Sequence, residues 1–254
     1  MNCCVADRTI IVTGAASGIG KACADYLING GNRLVLMDLA FDSLSRAFPE
    51  KNENLLLVEA DISREQDCAR AVAAATDRFG RLDALMHWAG RHSIKPWDEL
   101  TAEDFDALLR VNVTGAFMMA QAAARRMRDQ PEKGGAIVLT GSTAVIHAPI
   151  GGAAGNGGPA YVTSKAAITG MVRTLARALG PFDIRVNGIA PGVTETPMIS
   201  NYSQETRALQ INSSPLGRIA SAGEVAEAGC LLISDASRYV SGEVLIVNGA
   251  TSFG

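Results

Sequence analysis

Seven short apolar runs that alternate with segments of helical periodicity constrain this chain more than any other feature. The runs cover 9–13, 33–37, 54–60, 83–88, 135–141, 184–190 and 243–248, and helices are expected near 18–29, 42–48, 64–79, 103–129, 160–180 and 223–234. Strand interiors such as Leu55-Leu56-Leu57-Val58 and Ile137-Val138-Leu139 are continuously apolar, as strands covered on both faces must be. Repetition of strand and helix then predicts an α/β fold, a doubly wound, Rossmann-like parallel sheet of seven strands with helices on both faces. No Pro/Gly/Ser linker or charge block divides the 254 residues, so one domain over 1–254 is expected.

The first strand runs into Gly14-Ala15-Ala16-Ser17-Gly18-Ile19-Gly20, which opens the first helix. Glycines there let backbone amides approach a pyrophosphate, and the helix N-terminus adds partial positive charge. The spacing is GxxxGxG rather than the GxGxxG of the general dinucleotide fingerprint. The second strand ends on Asp38, whose carboxylate can accept hydrogen bonds from both hydroxyls of an adenosine ribose. Farther on, Tyr161 and Lys165 stand four apart in a helix-prone segment, on one helical face. A cation beside a phenol favours the phenolate and makes a tyrosine usable as an acid/base.

Taken in order, these features make the chain resemble the short-chain dehydrogenase/reductase family over nearly its whole length. The resemblance is carried by TGAASGIG (13–20), Asp61-Ile62, Ala89-Gly90, Asn112 in RVNVTGAF, Ser142 in IVLTGSTA, Tyr161 with Lys165, and Pro191-Gly192 in RVNGIAPGVTETPM. It implies hydride transfer between nicotinamide C4 and a carbinol or carbonyl carbon. It also implies Tyr161 as general acid/base, Ser142 as hydrogen-bond partner of the substrate oxygen, Lys165 as a ribose contact that lowers the tyrosine pKa, and Asn112 as holder of a proton-relaying water. Cofactor contacts are implied at Gly14, Ser17, Gly18, Ile19, Asp38, Asp61, Ile62, Ala89, Gly90, Tyr161, Lys165, Pro191, Gly192, Val193 and Thr194, the last toward the carboxamide. The segment 194–217 is expected to be the substrate loop, and a homotetramer packed through the helices near 103–129 and 160–180 is implied.

NAD is the expected cofactor, because Asp38 would repel a 2′-phosphate and neither Ser17 nor Leu39 offers a cation. An NADPH-dependent biosynthetic ketoreductase is the runner-up, and a non-catalytic dinucleotide sensor on the same fold is a third reading. The family pattern is departed from twice. His87-Trp88 stand where two asparagines are common, and Gly151–Gly158 lengthens the interval between Ser142 and Tyr161. That insertion reads either as an excursion beside the active-site mouth or as a tolerated surface loop.

His92 and His147 follow site motifs closely enough to contact substrate, whereas His87, Trp88 and Trp97 read as packing residues. A metal site is not expected, since no HExxH or carboxylate-histidine cluster occurs. A net charge of −3 provides no footprint for nucleic acid or an anionic membrane, and no apolar run approaches the ~20 residues of a membrane span. Without a basic, apolar leader the chain is expected in the cytoplasm. Cys3, Cys4, Cys23, Cys68 and Cys230 lack a CxxC spacing and read as reduced thiols. The expected partner is a small alcohol or ketone.

Overall fold

The computed structural model describes residues 5–50, 52–149, 151 and 157–254. Its main sheet has seven strands, all parallel: β1 (Thr9–Thr13), β2 (Arg33–Asp38), β3 (Leu55–Glu59), β4 (Ala84–His87), β5 (Gly135–Thr140), β6 (Ile184–Pro191) and, last in the chain, β9 (Val244–Val247), in the order β3-β2-β1-β4-β5-β6-β9. A separate pair, β7 (Thr194–Glu195) and β8 (Ala220–Ser221), forms a small second sheet. The chain leaves β1 toward one edge and returns to β4 on its other side, so strand order reverses at β1/β4. Ligands of open α/β sheets bind in the crevice at that point, beyond the carboxyl ends of the strands.

Alternation along the strands sorts the helices into two layers. Ile11, Val35 and Met37 pack with α3 (Glu65–Phe79), α5 (Ala116–Asp129) and α7 (Pro159–Leu179). Ile10, Val12, Leu34 and Leu36 pack on the other side with α1 (Gly18–Asn29), α2 (Phe41–Ala47) and α9 (Ala222–Ile233). Both faces being covered explains why the strands read as unbroken apolar runs rather than alternating ones.

The helix expected over 103–129 is not continuous. It divides into α4 (Ala102–Leu109), a π-helical turn at Arg110–Gly115, and α5. Tertiary contacts impose that turn. Asn112 within it donates to Arg91 O (2.9 Å) and Ser164 Oγ (3.0 Å), and its Oδ1 accepts from Arg91 N (2.8 Å). A methyl on Gly115 would stand 2.9 Å from Ile62 O, so this helix lies directly against the loop after β3. The expected substrate loop also carries structure: β7, then α8 (Gln204–Ser213), then the approach to β8. The remaining short helix, α6 (Ala144–His147), follows β5.

Trp97 does not pack as expected, being 78% exposed; it lies in a strap, 91–97, that has no regular structure and keeps its apolar residues at the surface. Cys23, Cys68 and Cys230 are buried, while Cys3, Cys4 and residues 152–156 of the glycine-rich insertion lie outside the described residues. No helix among the described residues is long and apolar enough to cross a membrane.

Candidate active site

The carboxyl ends of β1, β2, β3, β4, β5 and β6 open into one cavity of about 1080 Å³. Gly14, Ser17, Gly18, Ile19, Asp38, Asp61, Ile62, Ala89, Gly90, Pro191, Gly192, Val193 and Thr194 line it, as do Ser142, Tyr161, Lys165, His92 and His147. Asn112 does not line it; this side chain stands behind the wall and clamps the Arg91 backbone.

The cofactor end is built from backbone. Ser17 caps α1 in an extended conformation, makes no side-chain cap bond, and no acidic residue occupies the first turn. The first amides of α1 therefore face the cavity without an internal anion. Gly14, at φ +68°, comes so close to β4 that a methyl there would stand 2.9 Å from Ala89 N. Asp38 is pinned by two amides, its Oδ2 accepting from Ala16 N (3.0 Å) and its Oδ1 from Ala40 N (2.9 Å). Leu39 beside it is 66% exposed and supplies no charge. Asp61 is oriented in the same way by Ser63 N (2.8 Å).

Where two asparagines are common, His87 and Trp88 take different roles. Thr13 Oγ1 accepts from Ala89 N (3.1 Å) and stands 3.1 Å from His87 Nδ1. The threonine hydroxyl has both a proton and a second lone pair to offer Nδ1, so the direction of that bond follows the imidazole tautomer. Thr140 donates to His87 O (2.6 Å), so β1, β4 and β5 are knit together at the floor of the site. Burial, reinforced by Lys165, pushes the His87 pKa down to about 3 and keeps it neutral. Trp88 reaches the other face, where the missing side chain of Gly229 makes room: a methyl at Gly229 would lie 2.8 Å from the indole. His87 Nε2 and Trp88 Nε1 are both buried without a hydrogen-bond partner among the described residues.

At the other end stand Ser142, Tyr161 and Lys165. Tyr161 and Lys165 are both buried on α7. Burial raises the Tyr161 pKa above its ordinary value, and a hydrogen bond with Ser142 pulls it back. The pull expected from Lys165 is not the operative one in this arrangement. Its ammonium is 5.9 Å from the Tyr161 ring centre and donates instead to Thr140 O (2.9 Å). Desolvation holds Lys165 down to about 8. His92 meets the Tyr161 ring edge-on with centres 4.6 Å apart, and burial, with Lys165, lowers its pKa, so its imidazole is neutral. Thr194 turns its hydroxyl to Gly192 O (3.0 Å).

These groups suit a dinucleotide: uncapped amides for the pyrophosphate, a carboxylate for the ribose, a backbone approach that only glycine permits at position 14, and an amine and a phenol at the far end. A bound nicotinamide dinucleotide would donate or accept the hydride. Fold and site together define an oxidoreductase that acts on CH–OH groups with such a cofactor.

Comparison with known proteins agrees. Residues 14–251 match the family model described as enoyl-(acyl carrier protein) reductase. Over 249 residues the chain is 35% identical to cis-4-hydroxycyclohexanecarboxylate dehydrogenase of Sinomonas cyclohexanicum, covering 96% of each. The crystal structure of a short-chain dehydrogenase/reductase, glucose/ribitol dehydrogenase, from Brucella melitensis superposes with a TM-score of 0.91 at 31% identity over 100% of both chains. That of 3-ketoacyl-(acyl-carrier-protein) reductase from the same organism, complexed with NADH, gives 0.87 at 28% identity over 98% and 99%. The chain belongs to the short-chain dehydrogenase/reductase family.

Three features escaped sequence reasoning: the π turn at Asn112, the Trp88–Gly229 pair, and the hydrogen-bonded junction at Thr13. Only Thr13 left a signal, as the first residue of the TGAASGIG motif.

Proposed function

We propose that this chain is an NAD(H)-dependent enzyme interconverting a small secondary alcohol and its ketone. In this reading the whole of 1–254 acts as one dinucleotide-binding and catalytic domain, with 194–217 as the substrate loop. The observation that carries the cofactor choice is Asp38. Two backbone amides fix its carboxylate at the cavity wall, and uncharged Leu39 and Ser17 flank the place where a 2′-phosphate would sit. An anion meeting that carboxylate without a cation would be rejected. The Brucella reductase complexed with NADH is a related precedent for the same cofactor.

During oxidation Tyr161 takes the proton from the carbinol oxygen and during reduction returns it, while Ser142 hydrogen-bonds the same oxygen. An oxygen that develops alkoxide character needs a proton partner and a further donor, and these two hydroxyl-bearing residues line the same cavity. Lys165 holds the ribose, and Asn112 fixes the Arg91 wall that faces Tyr161 and Lys165.

Assembly is proposed as a homotetramer through α5 and α7. Ala166, Gly170 and Ala178 leave an exposed, small-residue face on α7, and a methyl at Gly170 would touch nothing within 4 Å. The cytoplasm is the proposed location. The experiment is to mix the purified protein with NAD or NADP and a panel of secondary alcohols and to follow NAD(P)H absorbance. Turnover with NAD supports the reading; binding of NAD with no turnover across the panel would favour a sensor.

A further inference from the structure

We propose that the end of the glycine-rich insertion and the strap after β4 form a closed clamp on Tyr161, in which Gly157 and His92 are positioning residues for the catalytic phenol. This rests on the reading of Tyr161 as the acid/base.

One side of the clamp is His92, which meets the Tyr161 ring edge-on. Its position is fixed from both neighbours. The Arg91 backbone is held at both its N–H and its carbonyl by Asn112, and Ser93 O accepts from Gly158 N (2.8 Å). Lys95 then ties the strap to the start of α4 through Asp104 (2.6 Å). The other side is Gly157, whose φ of +99° is open to glycine and strained for other residues. A methyl there would stand 2.6 Å from Tyr161 Cδ1 and 3.4 Å from Cγ and Cε1. The glycine backbone itself is therefore a wall for the ring.

The Ser93–Gly158 bond joins the two sides, because Ser93 follows His92 and Gly158 follows Gly157. Gly151 at the other end of the insertion lies against the same strap, where a methyl would be 2.6 Å from Ile94 O. Both ends of the insertion are thus moored beside the catalytic tyrosine. A surface loop with no role in the site would need neither contact. Positioning matters because a displacement of about 1 Å of a reacting group can cost about 10²-fold in rate.

The test compares Gly157→Ala, His92→Ala and His92→Phe with the parent, using kcat, NADH affinity by fluorescence, thermal melting and the near-ultraviolet titration of the phenolate absent from Tyr161→Phe. Gly31→Ala serves as control, since it carries φ +72° with nothing within 4 Å of the added methyl. For Gly157→Ala we expect kcat to fall by about 10²-fold with NADH affinity unchanged. The Tyr161 titration should move upward as the ring leaves Ser142. His92→Ala should lose about tenfold in kcat, and His92→Phe should recover most of it by restoring the ring edge. Turnover within about twofold of the parent in Gly157→Ala, or in His92→Ala should Gly157→Ala fail to fold, would overturn the clamp. So would equal losses in His92→Ala and His92→Phe. Retained activity in Tyr161→Phe would instead overturn the acid/base reading itself.

Discussion

The two ends of the cavity are built by different means. The proposed cofactor end consists of strand termini and backbone: Gly14 against Ala89, uncapped amides of α1, and Asp38 held by Ala16 N and Ala40 N. The proposed substrate end consists of the strap 91–97, the short helix α6, the Gly157–Gly158 end of the insertion and the segment 194–217, with residues such as His92, His147, Met198 and Leu216 lining the space. The first is anchored in the doubly covered sheet and has little freedom to vary. The second is carried on surface segments, where changes in sequence cost little stability and can alter what is bound. A binding site divided in this way keeps one cofactor while accommodating different substrates.

The sharpest way to break this contrast is to change the fixed end by two side chains. Asp38→Ala combined with Leu39→Arg removes the carboxylate and adds a cation, and the preference for NAD over NADP in kcat/KM, expected at about a hundredfold in the parent, should narrow sharply. Equal use of both cofactors by the parent would mean that Asp38 does not face the ribose.

The second effect concerns the buried amine at the junction of the two ends. Lys165 has a folded-state pKa of about 8 against an ordinary 10.5. Between those values the unfolded chain binds more protons, so this group makes stability rise with pH across that window. Its charge is a penalty at neutral pH that fades toward high pH. Melting of Lys165→Met relative to the parent should therefore look most favourable near neutrality, and the advantage should shrink by several degrees toward about pH 10. A gap independent of pH would mean that Lys165 is not desolvated.

Smaller still is the effect of filling the space under Trp88. Gly229→Val should overpack the indole and cost about 1–3 kcal/mol, read as a lowered melting temperature with reduced NADH affinity. An unchanged melting temperature and affinity would show that the pair is loosely packed.

The same contrast explains what could be read from the sequence. Apolar runs and glycine turns are local, so the seven strands, the Gly14 turn, Asp38 and the Tyr161/Lys165 spacing were each legible within a few residues, whereas the order of the strands in the sheet was not. His92 could be placed near the substrate by its distance from Ala89-Gly90 alone. The partnership of Trp88 with Gly229 joins the residue just after β4 to one on α9, and no local pattern announces it. The π turn falls within an apolar periodicity that reads as one helix, because it is imposed by Arg91 and Ser164 rather than by its own residues. Gly157 was visible only as one of several glycines; its contact with Tyr161 depends on a backbone angle that composition does not reveal.

In the proposed mechanism Tyr161 transfers the proton while contributing little to holding the cofactor. The most direct test of this role measures NADH affinity and NAD-dependent oxidation of one active secondary alcohol in the parent and in Tyr161→Phe side by side. NADH binding in Tyr161→Phe should stay close to that of the parent, with turnover lowered by about 10²–10⁴-fold. Substantial turnover in Tyr161→Phe, or loss of NADH binding in step with activity, would contradict it.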